Sequence, residues 1–248
     1  MNQLETATGP AIAELLEAFS PEEHEVMLRA GYEVRECFRV LDKVGLNVVG
    51  EILEGQGPFY ELQHYPKGDV YDMETHAQYY YHAHRPESGE HGHFHTFLRA
   101  KGMPRDIRPA PYEGEAPRPL GKDAVSHIIA ISMNAQGYPT HLFTTNRWVT
   151  AETWYRADDV IRMIDHFIID HAWPSWATNR WITAMLTLFK PQIAHLLRER
   201  DRTVAAWQAS HPDRDVFEDR ELDVTSIMPI SVEAQIAALE ARSGIGDG

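Results

Sequence analysis

Cysteine is almost absent: Cys37 is the only one in 248 residues, so no internal disulfide and no Cys-rich zinc site can form. Long apolar runs are missing as well. The most apolar stretch, residues 161–169, is interrupted by Arg162, Asp165 and His166, and a bilayer span needs ~20 apolar residues. Met1 to Glu5 carry neither the basic start nor the apolar run of a secretory signal. Positive charge is scarce too, with 23 Lys and Arg against 37 Asp and Glu and a formal net charge of −14. Nucleic acids and anionic membranes are held by concentrated basic surface, so neither is an expected partner. A small-molecule substrate and a cytoplasmic setting are what these absences leave.

What is present is a 43% apolar composition, enough for a sizeable core, and a pattern that changes twice along the chain. Residues 1–50 read as helical. Ile12, Leu15, Leu16 and Phe19 recur at helical spacing. Ser20-Pro21-Glu22-Glu23 forms a helix start, with a capping serine, proline at the first position and glutamate at the third. The second helix runs through Val26, Met27, Ala30, Val34, Phe38 and Leu41, and Cys37 beside that stripe reads as a small core residue. Residues 55–146 alternate aromatic or β-branched with polar side chains, as strands do. Strands are expected near Phe59–His64, His76–His84, Gly92–Leu98, Val125–Met133 and Pro139–Asn146. A proline-rich excursion spans Gly102 to Gly121. Residues 150–242 return to mainly helical periodicity. Thr150 is read as a cap, Pro174 as a break, and Ser175 as the start of a long helix that Pro191 kinks near Leu188. Leu222–Ile227 is a candidate edge strand, and Ser231 caps a last helix. The fold class is α+β: a central antiparallel β-sheet flanked by N-terminal and C-terminal helices, in a single domain over residues 1–248.

Five of the 14 histidines fall between Tyr79 and Phe97: His82, His84, His91, His93 and His95. Their spacing by two places His82 with His84, and His93 with His95, on one side of an extended chain. Residues 85–92 are long enough to reverse direction. If His84 stands opposite His93, His82 meets His95; in a tighter register His84 faces His91 and His82 faces His93. Either register gathers the rings on one face, whereas a slip by one residue separates them. Imidazoles crowded together repel if protonated and, if buried, need partners for both nitrogens. A divalent cation answers both demands. The expected ligands are therefore His82, His84, His93 and His95. Glu90 is the preferred carboxylate, ahead of Asp72, Glu74 and Glu87, and His91 is a candidate acid or base. With no cysteine in the set, Zn²⁺, Fe²⁺, Mn²⁺ or Cu²⁺ fits. His127 shares the strand parity of Ile129, Ile131 and Met133 and is expected to point into the core. Arg99 and Lys101 could meet an anionic substrate.

Three resemblances accompany this reading. His91-Gly92-His93-Phe94-His95-Thr96-Phe97 resembles the motif of histidine-triad nucleotidyl hydrolases and transferases, which implies a metal-free site with His93 as nucleophile. Gly92 and Thr96 stand where that motif has hydrophobic residues. His82-Ala83-His84 resembles the first metal motif of cupins, which implies a β-barrel. The strings Tyr79 to His84 and Glu90 to Pro104 together resemble a bacterial family of unknown function over most of the chain, and that resemblance implies no activity. The expectation is a metal-binding protein acting as a metal-dependent oxidoreductase or hydrolase. The alternatives are a histidine-triad-like phosphate enzyme and a non-enzymatic metal-binding protein.

Overall fold

Ser20 begins the first long helix as the spacing predicts. Its hydroxyl accepts from the Glu23 backbone N–H, while the Glu23 carboxylate accepts from the Ser20 N–H, two otherwise orphaned donors satisfied reciprocally. The structure, a computed structural model, describes residues 9–83 and 90–243. Its N-terminal part holds α1 (Ile12–Leu16), α2 (Pro21–Asp42) and α3 (Val48–Leu53), the last capped by the Asn47 side chain. Cys37 is buried on α2, and burial pushes its thiol up to about 12. It is a core residue.

Among the described residues six strands follow in a single antiparallel meander: β1 (Tyr65–Tyr71), β2 (Ala77–His82), β3 (Gly92–Arg99), β4 (Val125–Met133), β5 (Pro139–Thr145) and β6 (Val224–Pro229). They pair strictly in chain order, and β6 joins as the edge strand that the alternation at residues 222–227 predicts. Among the described residues β1 and β6 take no further strand partner, so the sheet does not close into the barrel that the cupin resemblance implies. The first strand lies later than expected. Leu62 inside Phe59–His64 takes a left-handed backbone (φ 66°), which breaks extended pairing there, and pairing starts at Tyr65.

The C-terminal helices are α4 (Arg147–Thr150), α5 (Ala157–Ile164), α6 (Trp176–Leu188), α7 (Lys190–Ser210) and α8 (Val232–Ser243). Thr150 ends α4 instead of starting a helix: Ala151 is left-handed (φ 51°), and the chain does not resume helix until Ala157. Ser175 caps α6 and Ser231 caps α8 through their hydroxyls, as read from the sequence. The expected kink is a full break at Phe189, because Pro191 sits in the first turn of α7, where its missing N–H costs nothing.

These helices flank the sheet, and the α+β class is correct. On the sheet face toward them, Tyr79, Tyr81, Phe94, Leu98, Ile129 and Ile131 are buried in one core with Val34, Trp181, Met185 and Leu188. Phe94 meets Trp181 with ring centroids 5.3 Å apart, and the Tyr79 hydroxyl donates to Asn179 Oδ1 at 2.6 Å. Every residue of β2 is buried, those between the core residues included. The second face of the sheet is therefore an interior as well. No helix among the described residues is long and apolar enough to cross a membrane.

Candidate metal centre

Alternation decides what the second face carries. Tyr80 pairs with His95 and His82 with His93 across β2 and β3, while Tyr79 pairs with Thr96 and Tyr81 with Phe94. Cross-strand partners share a face, so Tyr79, Tyr81 and Phe94 go to the helices, while Tyr80 joins the histidines on the opposite side. The register is the tighter of the two expected from the sequence. Gly92 makes it fit: a Cβ there would lie 2.5 Å from the Tyr81 hydroxyl and 2.7 Å from the His82 carbonyl. Glycine is what lets β3 start this close to the end of β2.

His82, His93 and His95 form a compact cluster. Ring centroids are 4.6 Å apart for His82–His93, 4.8 Å for His93–His95 and 5.1 Å for His82–His95, all near edge-on. One nitrogen from each ring lies within 4.8 Å of the others. Four-coordinate ligation at ~2.1 Å places nitrogens ~3.4 Å apart, so the rings would have to draw together by rotation about the soft χ2 torsion to hold one ion. His82 is 8% exposed and the other two are fully buried. Neighbouring β4 presents only Ala130 opposite His95 and Ser132 opposite His93, small side chains that leave the rings room. Phe143 on β5 walls the site at 5.1 Å from His93.

Two of the rings are oriented from behind. Glu90 Oε1 lies 2.7 Å from His93 Nδ1, and the carboxylate side chain is only 7% exposed. His95 Nδ1 lies 3.0 Å from His127 Nε2. With Nδ1 taken up by these bonds, Nε2 is the nitrogen through which both rings would meet an ion, the usual pattern for metal-binding histidines. Glu90 thus orients His93.

His127 corrects the expectation that it points into the core. Thr96 pairs with Ile129 but Phe97 pairs with His127, so Ile128 is an extra residue in a β-bulge. The bulge reverses the parity of β4 beyond it and turns His127 onto the histidine face. Burial, and secondarily Arg200 and His93, push its pKa down to about 3, so it stays neutral. Its backbone N–H donates to Glu152 Oε2 at 2.6 Å, and the Thr150 hydroxyl donates to Glu152 Oε1. Burial pushes the Glu152 carboxyl up to about 7, against the opposing pull of Arg200 and of that N–H.

The remaining candidates fall elsewhere. His84 and Glu87 lie outside the described residues. The His91 ring stacks on Phe59 and Tyr81, with Nδ1 hydrogen bonded to the Tyr81 hydroxyl at 2.6 Å, and it does not join the cluster. The set brought together is therefore not the His91–His93–His95 triad. Asp72 caps the turn between β1 and β2 by accepting from the Glu74 and Thr75 N–H groups. Glu74 is a residue of that turn. Two neighbours escaped the sequence reading. His64 stacks on Tyr80 at 3.6 Å and stands 5.7 Å from the His82 ring. Glu152 sits in a stretch whose sequence reads as the start of a helix. No local pattern marks either residue, because both reach the site through tertiary packing.

Residues 28–230 match a family described as a domain of unknown function (DUF6969), and the chain belongs to it. The match takes in the three clustered histidines together with Glu90, His127 and Glu152. No curated protein and no solved structure matches the chain.

Proposed function

We propose that His82, His93 and His95 hold one divalent metal ion through Nε2 nitrogens, and that the protein is a metal-dependent enzyme of the hydrolase or oxidoreductase type. The observation that carries this reading is the convergence of three buried imidazoles within 4.8 Å, two of them turned by Glu90 and His127. Metal on Nε2 of His95 leaves its Nδ1–H to donate to neutral His127, and Nδ1–H of His93 then donates to Glu90. Three neutral donors leave the charge of the ion largely uncompensated, which favours acidifying a bound water or polarising a substrate oxygen. His84, as a fourth ligand, and His91, as an acid or base outside the cluster, belong to the same proposal.

A second reading rests on the burial of the rings, which also suits a coordinatively closed site with a structural or sensing role. Cobalt substitution separates the two. A visible spectrum that azide perturbs marks an open coordination position, and an unresponsive spectrum marks a closed one. The primary test is elemental analysis of untagged protein prepared without a nickel column. About one equivalent of metal is expected, and none in His93→Ala, since removing one of three ligands destroys the chelate. Protein that takes up no zinc, iron, manganese or copper from replete medium or in direct titration overturns the proposal.

A further inference from the structure

A second charged feature lies at the opposite end of β2. The ends of β1, β2 and β3 and the chain entering β4 enclose a cleft of about 470 Å³, lined by Tyr71, Gln78, Arg99, Lys101, Lys122 and Asp123 among others. In a chain where acids outnumber bases 37 to 23, three cations meet there around one carboxylate. None of the three forms an ion pair with a described residue, whereas Arg35, Arg147, Arg162, Arg180 and Arg214 all do.

Arg99 is held ready for a ligand. Its Nε donates to Gln78 Oε1 at 2.6 Å, and Gln78 Nε2 is itself fixed by donating to Asp69 Oδ2 at 2.6 Å. The guanidinium carbon stands 5.7 Å from the centre of the Tyr71 ring. With Nε engaged and one face of the plane against an aromatic ring, the terminal nitrogens are the donors left for a ligand. They are spaced to take two oxygens of one oxyanion. Lys101 and Lys122 are exposed at the rim and add charge without fixing geometry.

We infer that this cleft is a binding site for a small dianionic oxyanion, best matched by a phosphate group. Among the lining residues three cations stand against Asp123, and with Asp69 behind Gln78 counted as well the local charge is still positive and suited to an oxyanion. The guanidinium fork supplies paired donors and the lysines supply the balance. The site is distinct from the histidine cluster: Gln78 and His82 are four residues apart on one strand, roughly 13 Å at ~3.3 Å per residue. The inference therefore does not depend on a metal being bound.

The test is calorimetric titration of the full chain with inorganic phosphate, and separately with succinate, at low ionic strength. Phosphate also ligates metals, so the protein is first treated with a chelator and dialysed. Saturable phosphate binding is expected, tighter than succinate binding, and weakened by added salt as exposed charge pairs are. Arg99→Gln should weaken it by about tenfold or more, because it removes paired charge-assisted donors. Lys101→Gln with Lys122→Gln, both at exposed positions that the fold does not need, should weaken it by roughly threefold to tenfold. Absence of saturable binding, or binding unchanged in the double lysine variant, overturns the site. Succinate binding tighter than phosphate overturns the phosphate assignment.

Discussion

The two faces of the β2–β3 hairpin are built from alternate residues of the same two strands, yet they are held by different physics. Toward the helices, Phe94 buries its ring against Trp181, Tyr79 and Tyr81, and these residues gain stability in proportion to the apolar area removed from water. Away from them, His82, His93 and His95 are buried to the same degree, and burial of such groups is favourable only where each nitrogen finds a partner. One face is held chiefly by the volume it fills, with hydrogen bonds at the Tyr79 and Tyr81 hydroxyls added; the other is specified atom by atom. Substitutions should therefore separate. Changes on the apolar face should cost stability and leave the metal-binding capacity of the folded fraction intact, and changes on the histidine face should do the reverse.

The sharpest contrast is Phe94→Ala, one residue from His93. Phe94 is fully buried among Tyr79, Tyr81 and Trp181, and truncating a buried phenylalanine costs ~3–5 kcal/mol. Urea unfolding should show a loss of that size, while metal per folded molecule, read after size exclusion, stays at the wild-type value. A stable Phe94→Ala protein that has lost its metal would show that the faces are not independent.

A somewhat smaller effect is expected behind the histidine face, where Glu152 is buried with its pKa pushed up to about 7. Because the folded-state value lies above that of the unfolded chain, the protonated form suits the native state. The stability it contributes is complete below the ordinary glutamate range and is lost as pH rises through about 7. The loss should be on the order of 3 kcal/mol between pH 4.5 and pH 8. Other groups titrate in this window, so the quantity to compare is the pH slope of unfolding free energy in wild type against Glu152→Gln. The variant should gain relative stability at the alkaline end. Parallel slopes would show that the native state solvates this carboxylate after all.

How much of this was legible beforehand follows the same division between local and non-local causes. The capping box at Ser20 and Glu23, the caps Ser175 and Ser231, and the face shared by His82, His93 and His95 are consequences of short-range geometry. Period-two spacing alone sorted the hairpin into a face that carries the histidines with Tyr80 and a face that carries Tyr79, Tyr81 and Phe94. The errors came where one residue changes the parity or hand of the backbone. Left-handed Leu62 delays the first strand, left-handed Ala151 ends a helix that the composition would continue, and the bulge at Ile128 turns His127 from the core to the histidine side. None of these has a glycine or proline at the decisive position to announce it. His64 and Glu152 were illegible for another reason: each reaches the site from an element that packs there only in the finished fold.

The smallest effect, and the finest probe of the contrast, concerns Glu90. Its carboxylate accepts from the rear nitrogen of the His93 ring at 2.7 Å. If its task is to fix the tautomer and heading of that ring, Glu90→Gln keeps an amide oxygen able to accept the same hydrogen bond and loses only the charge. Glu90→Ala loses both. Replacing such an outer partner typically weakens a metal site by 10–100-fold, so Glu90→Ala should fall in that range and Glu90→Gln near its lower end. Both should keep one-to-one stoichiometry and an unfolding midpoint close to wild type in the metal-free state. Competition with a chelating dye measures the ratio directly. Were Glu90 instead a ligand in the bound state, alanine would lower affinity far beyond that range and change the spectrum of the cobalt derivative. Graded weakening with an unchanged spectrum is therefore the signature of a residue that acts through His93, and it completes the contrast with Phe94, whose loss is felt in stability alone.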